Sequence, residues 1–263
     1  MFAVITVAHA EESASNGSSS ASTSAGILSH LHANYFATFH GPAVNHLDAA
    51  ETVDSTGKLS KSAMYLDSEI GATYMFDDSI GAGPVLPFLL YTTRGEGASL
   101  GDVGFKITDK KTISTSNFNL YTNLILQLPS SDYSYNRGMR LGVKTTPNVR
   151  YIFQGTRYSV GAWTEAKAYL GATSGKLFKL YANPYINYQL THNFSLNVGY
   201  EMEADHFAKT SSMDFQMSQN DLMPGFVYVI APGVLINPYL QIFTGQNISS
   251  DRMALGAVVS ASL

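Results

Sequence analysis

Residues 118–129 read FNLYTNLILQLP, and the side chains alternate. Phe118, Leu120, Leu124, Leu126 and Leu128 are apolar, with Asn119, Tyr121, Asn123 and Gln127 between them. A period of two means a β-strand with one apolar and one polar face. The alternation begins near Thr112 and predicts a strand of about 16 residues, against about 5–6 for an ordinary strand. The pattern recurs. In SAMYLDSEIGATYMF, Met64, Leu66, Ile70, Ala72, Tyr74 and Phe76 form one face, and Asp67, Glu69 and Thr73 lie on the other. In MRLGVKTTPNVRYIF the apolar set is Met139, Leu141, Val143, Val149, Tyr151 and Phe153. In FKLYANPYINYQL it is Phe178, Leu180, Ala182, Ile186, Tyr188 and Leu190.

Counting such runs predicts about twelve strands: 27–40, 62–76, 80–93, 100–108, 112–128, 139–153, 158–170, 178–190, 194–206, 221–230, 234–244 and 252–263. Tight turns fall at 77–79, 109–111, 154–157, 191–193 and 231–233, and longer connections at 41–61, 94–99, 129–138, 171–177, 207–220 and 245–251. Short and long alternate, so all short turns gather at one end. An even strand number with this alternation is the pattern of a transmembrane β-barrel. The predicted fold is all-β: a closed antiparallel barrel of about twelve strands, with short periplasmic turns, longer extracellular loops and both termini periplasmic.

Composition agrees. Only 14% of residues are charged, where soluble domains have about 25%. No run of 18 apolar residues exists, which excludes a transmembrane helix. Tyr74, Phe76, Phe118, Tyr151, Phe153, Tyr158, Tyr188, Phe194 and Tyr228 sit on the apolar face beside the short turns. Amphipathic aromatics gather at a membrane–water boundary, so they read as a periplasmic girdle. A soluble barrel or sandwich, with its apolar face turned to a core, gives no reason for that placement.

The N-terminus, MFAVITVAHA, carries an A-x-A signal at Ala8-His9-Ala10 after an apolar stretch, and reads as the remnant of a secretory signal peptide without its basic start. Residues 11–25 are rich in Ser and Ala and are expected to form a disordered linker. The organisation predicted is therefore 1–10 signal remnant, 11–25 linker and 26–263 barrel.

On these strands, turns and aromatics, the chain resembles bacterial outer-membrane β-barrel proteins over about 26–263, and in strand count the twelve-stranded narrow channels. Its last strand, RMALGAVVSASL, resembles the C-terminal sorting strand of that class, ending in Leu263 in place of the usual aromatic. The resemblance implies residence among outer-membrane lipid and lipopolysaccharide, insertion by the barrel assembly machinery, and passage of small polar solutes.

Alternation also predicts what lines the lumen. The charged candidates are Asp67, Glu69, Asp102, Lys106, Arg140, Lys144, Arg150, Glu165, Lys167, Lys179, Glu201, Glu203 and Arg252. Charges facing mid-bilayer would cost about 2–4 kcal/mol each, so they turn inward. Cations dominate the sixth to eighth strands and acids the second and ninth. This predicts a basic wall facing an acidic one across a water-filled pore. The alternative is a filled barrel whose opposite charges interlock as a plug. Tyr121, Trp163, Tyr169, Tyr181, Tyr185 and Tyr239 point inward among Asn and Gln residues, a lining suited to polyhydroxylated solutes.

Catalysis and metal chemistry find little support. Cys is absent, which removes disulfides, thiolate metal sites and Cys nucleophiles. A formal charge of −4 argues against nucleic acid as a partner. No His-x-Ser occurs, as the outer-membrane phospholipase would need. Asp205 and His206 are adjacent and point to opposite faces. Glu201 and Glu203 share a face about 7 Å apart and read as lumen acids. His30, His32 and His40 fall on one face of the first strand without a visible third ligand. No cofactor is expected. Loop 41–61 and loop 207–220, with Met213, Phe215 and Met217, are left as surface loops through which a structural or adhesive barrel could work.

Overall fold

The computed structural model describes residues 29–47, 51–54, 57–60, 64–92, 97–208, 214–244 and 248–263. The signal remnant and the Ser/Ala linker lie outside the described residues. Twelve long strands follow in chain order: β1 (Leu31–Ala43), β2 (Tyr65–Met75), β3 (Ile80–Tyr91), β4 (Gly104–Ser114), β5 (Phe118–Gln127), β6 (Leu141–Ile152), β7 (Tyr158–Leu170), β8 (Lys176–Gln189), β9 (Phe194–Phe207), β10 (Gln216–Ala231), β11 (Val234–Phe243) and β12 (Met253–Ser262). Each pairs antiparallel with the next, and β1 closes on β12 from Asn34↔Ser262 to Ala43↔Ala254. Closure satisfies the hydrogen bonds of both edge strands, so the barrel presents no open edge.

The short connections lie at one end, together with Leu31 and Ser262. Their chemistry is local. The Asp77 carboxylate accepts from the Ile80 and Ser79 amides and the Ser79 hydroxyl, closing the β2–β3 turn. Gly233, at φ 76°, sits where a Cβ would meet the Ser262 carbonyl oxygen at 2.2 Å, so the β10–β11 turn requires glycine. At the other end, β5 and β6 are joined through a short helix, α1 (Asp132–Asn136), capped by the Ser131 side chain. The longest connection, between β1 and β2, holds a small hairpin pairing Thr52–Val53 with Leu59–Ser60.

The run opening at Thr112 is two elements. Residues 112–114 finish β4, and Thr115 turns the chain: its amide and hydroxyl bond the Phe118 carbonyl, and its hydroxyl accepts from the Phe118 amide. The predicted turn at 109–111 is instead a bulge inside the β4–β5 ladder, between Asp109 and Ile113. Each strand keeps a period of two, but the reversal shifts the parity: Ile113 of β4 stands opposite Leu120 of β5, so the outer residues are odd-numbered before the turn and even-numbered after it. β10 likewise begins at Gln216, which shortens the predicted 207–220 loop. Met217 is exposed there, on the same face as Ala204, and Met213 lies outside the described residues.

The wall is apolar outside. Ile70, Leu90, Phe105, Leu124, Leu180, Ile186, Val198, Phe226 and Leu255 are all exposed. Aromatics collect on this outer face at the short-turn end. Phe118 stands opposite Tyr151, Tyr158 opposite Tyr188, and Phe194 opposite Tyr228. Tyr74 meets Phe76 at 5.7 Å, and Tyr151 meets Phe153 edge-on at 5.1 Å. Inside, the two-letter pattern breaks: Val85, Ile125, Met223 and Val258 are apolar, inward and buried. Phe36 packs with Met223, Tyr239 and Val258 as an apolar knot within the lumen.

Candidate functional site: a chain of charges across the lumen

Strand register assembles the site. Lys167 on β7 stands directly opposite Lys144 on β6 and Lys179 on β8. The next inward row holds Glu165, opposite Tyr181, which is opposite Glu203 on β9. Neighbouring strands are about 4.8 Å apart, so the three ammonium groups would repel one another if left alone. Carboxylates interleave with them. Lys106 meets Glu69 at 3.3 Å, Glu69 meets Lys144 at 3.9 Å, and Lys144 meets Glu165 at 4.0 Å. Glu165 meets Lys179 at 3.9 Å, and Lys179 meets Glu203 at 2.6 Å. Glu203 meets Lys176 at 2.8 Å, and Lys176 meets Asp205 at 2.6 Å. Eight charges alternate in sign along one chain.

Glu69 stands on β2 and Lys144 on β6, so their contact runs as a chord through the lumen. The segregated basic and acidic walls expected from strand position are not what forms. Glu165 projects between Lys144 and Lys179, and Glu203 serves both lysines of β8. A like-signed wall in a narrow interior would leave buried charges unpaired, and interleaving removes that cost.

A second polar cluster lies beside it. Glu201 and Asp221 face each other across β9 and β10, and both are buried. Asp221 accepts from Gln219 at 2.9 Å and from Gln241 at 2.7 Å. Toward the short-turn end the lumen is aromatic. Trp163 is buried edge-on against Tyr121 at 5.9 Å, and the Tyr121 hydroxyl accepts from Asn148 at 2.9 Å. Tyr181, Tyr185 and Tyr239 are buried. Tyr239 fits because its opposite residue is Gly256, where a Cβ would lie 2.3 Å from the ring. Toward the long-loop end His40 stacks on Tyr65 at 4.4 Å.

Other predicted residues fall elsewhere. Asp67 and Arg150 face inward from β2 and β6 but stand outside the chain of ion pairs. Arg140 precedes β6 and is exposed, its side chain lying over Gly171 at the long-loop rim. Arg252 belongs to the one-turn helix Ser250–Arg252 ahead of β12. Asp102 lies between strands and is a loop anchor: it accepts from the Ser130 and Ser131 amides and from the Ser131 and Ser134 hydroxyls. For Arg140, Arg252 and Asp102 the strand begins later than the alternation, at Leu141, Met253 and Gly104, so the side chain leaves the lumen row. Asp205 and His206 do turn to opposite faces. His206 lies near Phe178 and Phe215, its Nδ1 3.0 Å from the Asp214 carbonyl oxygen. Among the described residues, no group of three or more His, Cys, Asp or Glu is placed to hold a metal ion.

Three residues outside the predicted lumen set, Asp205, Lys176 and Arg137, complete the site. Lys176 turns inward because the β8–β9 ladder is irregular between Lys176 and Phe178, which shifts its parity. Arg137 follows α1, is buried, and lies over the Tyr133 and Tyr169 rings at 4.8 Å each. It donates from Nε to the Ser174 carbonyl at 2.9 Å and from Nη2 to the Lys176 carbonyl. No periodic pattern marks a loop residue, so only the folded rim reveals it.

An outer-membrane channel from Pseudomonas putida F1 has the same architecture, with a TM-score of 0.57, 12% identity, and 89% of this chain and 95% of that chain covered. The chain has the fold of an outer-membrane channel. The NanC porin (TM-score 0.45, 8% identity, 89% and 98% covered) is more remote. So is the KdgM porin in complex with disordered oligogalacturonate (TM-score 0.42, 11% identity, 88% and 99% covered). No protein-family model and no curated protein matches the sequence.

Proposed function

We propose that the protein is an outer-membrane channel for passive diffusion of small polar or charged solutes through a narrow, charge-lined lumen. The observation that carries this reading is the alternating chain from Lys106 to Asp205, held inside a wall whose outer face is apolar. An apolar belt of this kind is stable against acyl chains, and charges concentrated inside need the water or partners of a lumen. On this reading the lumen charges act by field and contact, not by bond chemistry. The short-turn end with both termini faces the periplasm, β12 is what the barrel assembly machinery recognises, and lipopolysaccharide surrounds the long-loop half.

The Glu69–Lys144 chord and the apolar knot at Phe36 favour a second reading, a closed structural barrel working through its long loops. The refolded protein in a planar bilayer separates the two. Steady openings with a reproducible ion preference under a salt gradient support the channel. A correctly folded, heat-modifiable barrel that stays silent in the bilayer refutes it and supports the closed barrel.

A further inference from the structure

The ion-pair chain is neutral: four lysines alternate with four carboxylates. Lys167 is in the same row but outside the pairing. Among the described residues it has no carboxylate within 4.0 Å, and its Nζ lies 4.6 Å from the Tyr169 ring centroid. The flanking Lys144 and Lys179 lean on Glu165, Glu69 and Glu203 instead. The Arg137 guanidinium lies 4.8 Å from the same Tyr169 centroid, reaching in from the long-loop rim.

Arg137 is built into place. Its carbonyl accepts from the Thr173 amide at 2.8 Å and the Thr173 hydroxyl at 3.2 Å. Gly175, at φ 69°, gives it room, since a Cβ there would lie 2.9 Å from its Nε. Nε and Nη2 are spent on backbone carbonyls, and Nη1, though buried, has no acceptor among the described residues. A buried donor left unmade costs about 1–3 kcal/mol, more when charged. Asp102, an acid at this mouth, is already taken up by the amides and hydroxyls of Ser130, Ser131 and Ser134.

We propose that Arg137 and Lys167, set on the Tyr169 ring, form an oxyanion-binding site at the long-loop mouth of the lumen. It takes a carboxylate or a phosphate on a passing solute. The guanidinium supplies an oriented N–H and the ammonium a point charge, a pairing suited to an oxyanion rather than a halide. The proposal deepens the channel reading and rests on its lumen being hydrated.

Calorimetric titration of the refolded full chain in maltoside micelles tests it, with inorganic phosphate and acetate as separate probes and chloride as the reference. Saturable binding of phosphate or acetate is expected, at least tenfold weaker in Lys167→Gln and in Arg137→Gln. Arg157→Gln, which removes the same charge at the opposite end, leaves binding unchanged. Heat-modifiable mobility checks that each variant is folded. Stronger binding of phosphate assigns a phosphate group to the solute, and stronger binding of acetate a carboxylate. The site is overturned if neither probe binds, if chloride competes equally, or if folded Lys167→Gln binds like the parent. Binding needs no conductance, so a silent bilayer with retained binding would sink the channel reading and leave the site standing.

Discussion

Glu69→Gln removes the carboxylate shared by Lys106 and Lys144, and with it the tie from β2 across the lumen. The contacts are 3.3 and 3.9 Å. At an effective dielectric of about 20, each is worth about 4–5 kcal/mol before desolvation, which offsets most of it. Removing one partner of a buried pair costs about 3–5 kcal/mol, because the other charge is left buried. The Glu69 side chain is 15% exposed and Lys144 keeps Glu165 at 4.0 Å, which places the loss at the low end, about 3 kcal/mol. Lys106 keeps no carboxylate partner among the described residues. The chain then carries one excess positive charge and loses its chord. Two measurements follow: the urea midpoint of the refolded barrel in micelles, and the reversal potential under a salt gradient. The midpoint falls, conductance rises, and the reversal potential moves toward anion preference. An unchanged midpoint together with an unchanged reversal potential would refute the argument that Glu69 holds the lumen charges together.

Other perturbations reach separate parts of the fold. Asp102→Ala removes the acceptor of four donors around α1 and costs about 2–3 kcal/mol of local stability. Limited proteolysis within 128–140 accelerates while heat-modifiable mobility persists. Gly256→Val drives a side chain into the Tyr239 ring, so refolding yield drops, and Gly256→Ala with Tyr239→Phe does not restore it because the ring still fills the space. Asp77 is held below the usual carboxylate range by the amides of Ile80 and Ser79 and by the Ser79 hydroxyl. Its contribution is therefore present above the unfolded carboxylate pKa of about 4 and is lost as pH falls through the lower folded value. The acid-side loss of stability is smaller in Asp77→Asn than in the parent, as read by unfolding at neutral and at acid pH.

The barrel was legible because its cause is periodic. Lipid cannot bond a backbone, so every strand must be long, paired and apolar on its outer face, and each of these leaves a mark with a period of two. Thus Leu124, Ile186 and Leu255 declare the outside, and Glu69, Lys144, Glu165, Lys179 and Glu203 declare the inside. Strand limits were less legible. Thr112–Ser114 belongs to the strand before Phe118–Gln127 and carries the opposite parity, and Arg140 continues a parity that its strand does not.

The sequence by itself determined which face each strand residue takes and that the charges turn inward, since parity is a local property of an extended backbone. The tertiary structure decided which charges meet. Glu69 reaches Lys144 only because closure brings β2 and β6 close enough for two side chains to meet across the lumen. Lys176 joins the chain only through an irregular ladder, and Arg137 comes to the Tyr169 ring only through the packing of one rim connection on the next. Contacts of that kind depend on ring closure and on loops, where no repeat constrains the order of residues.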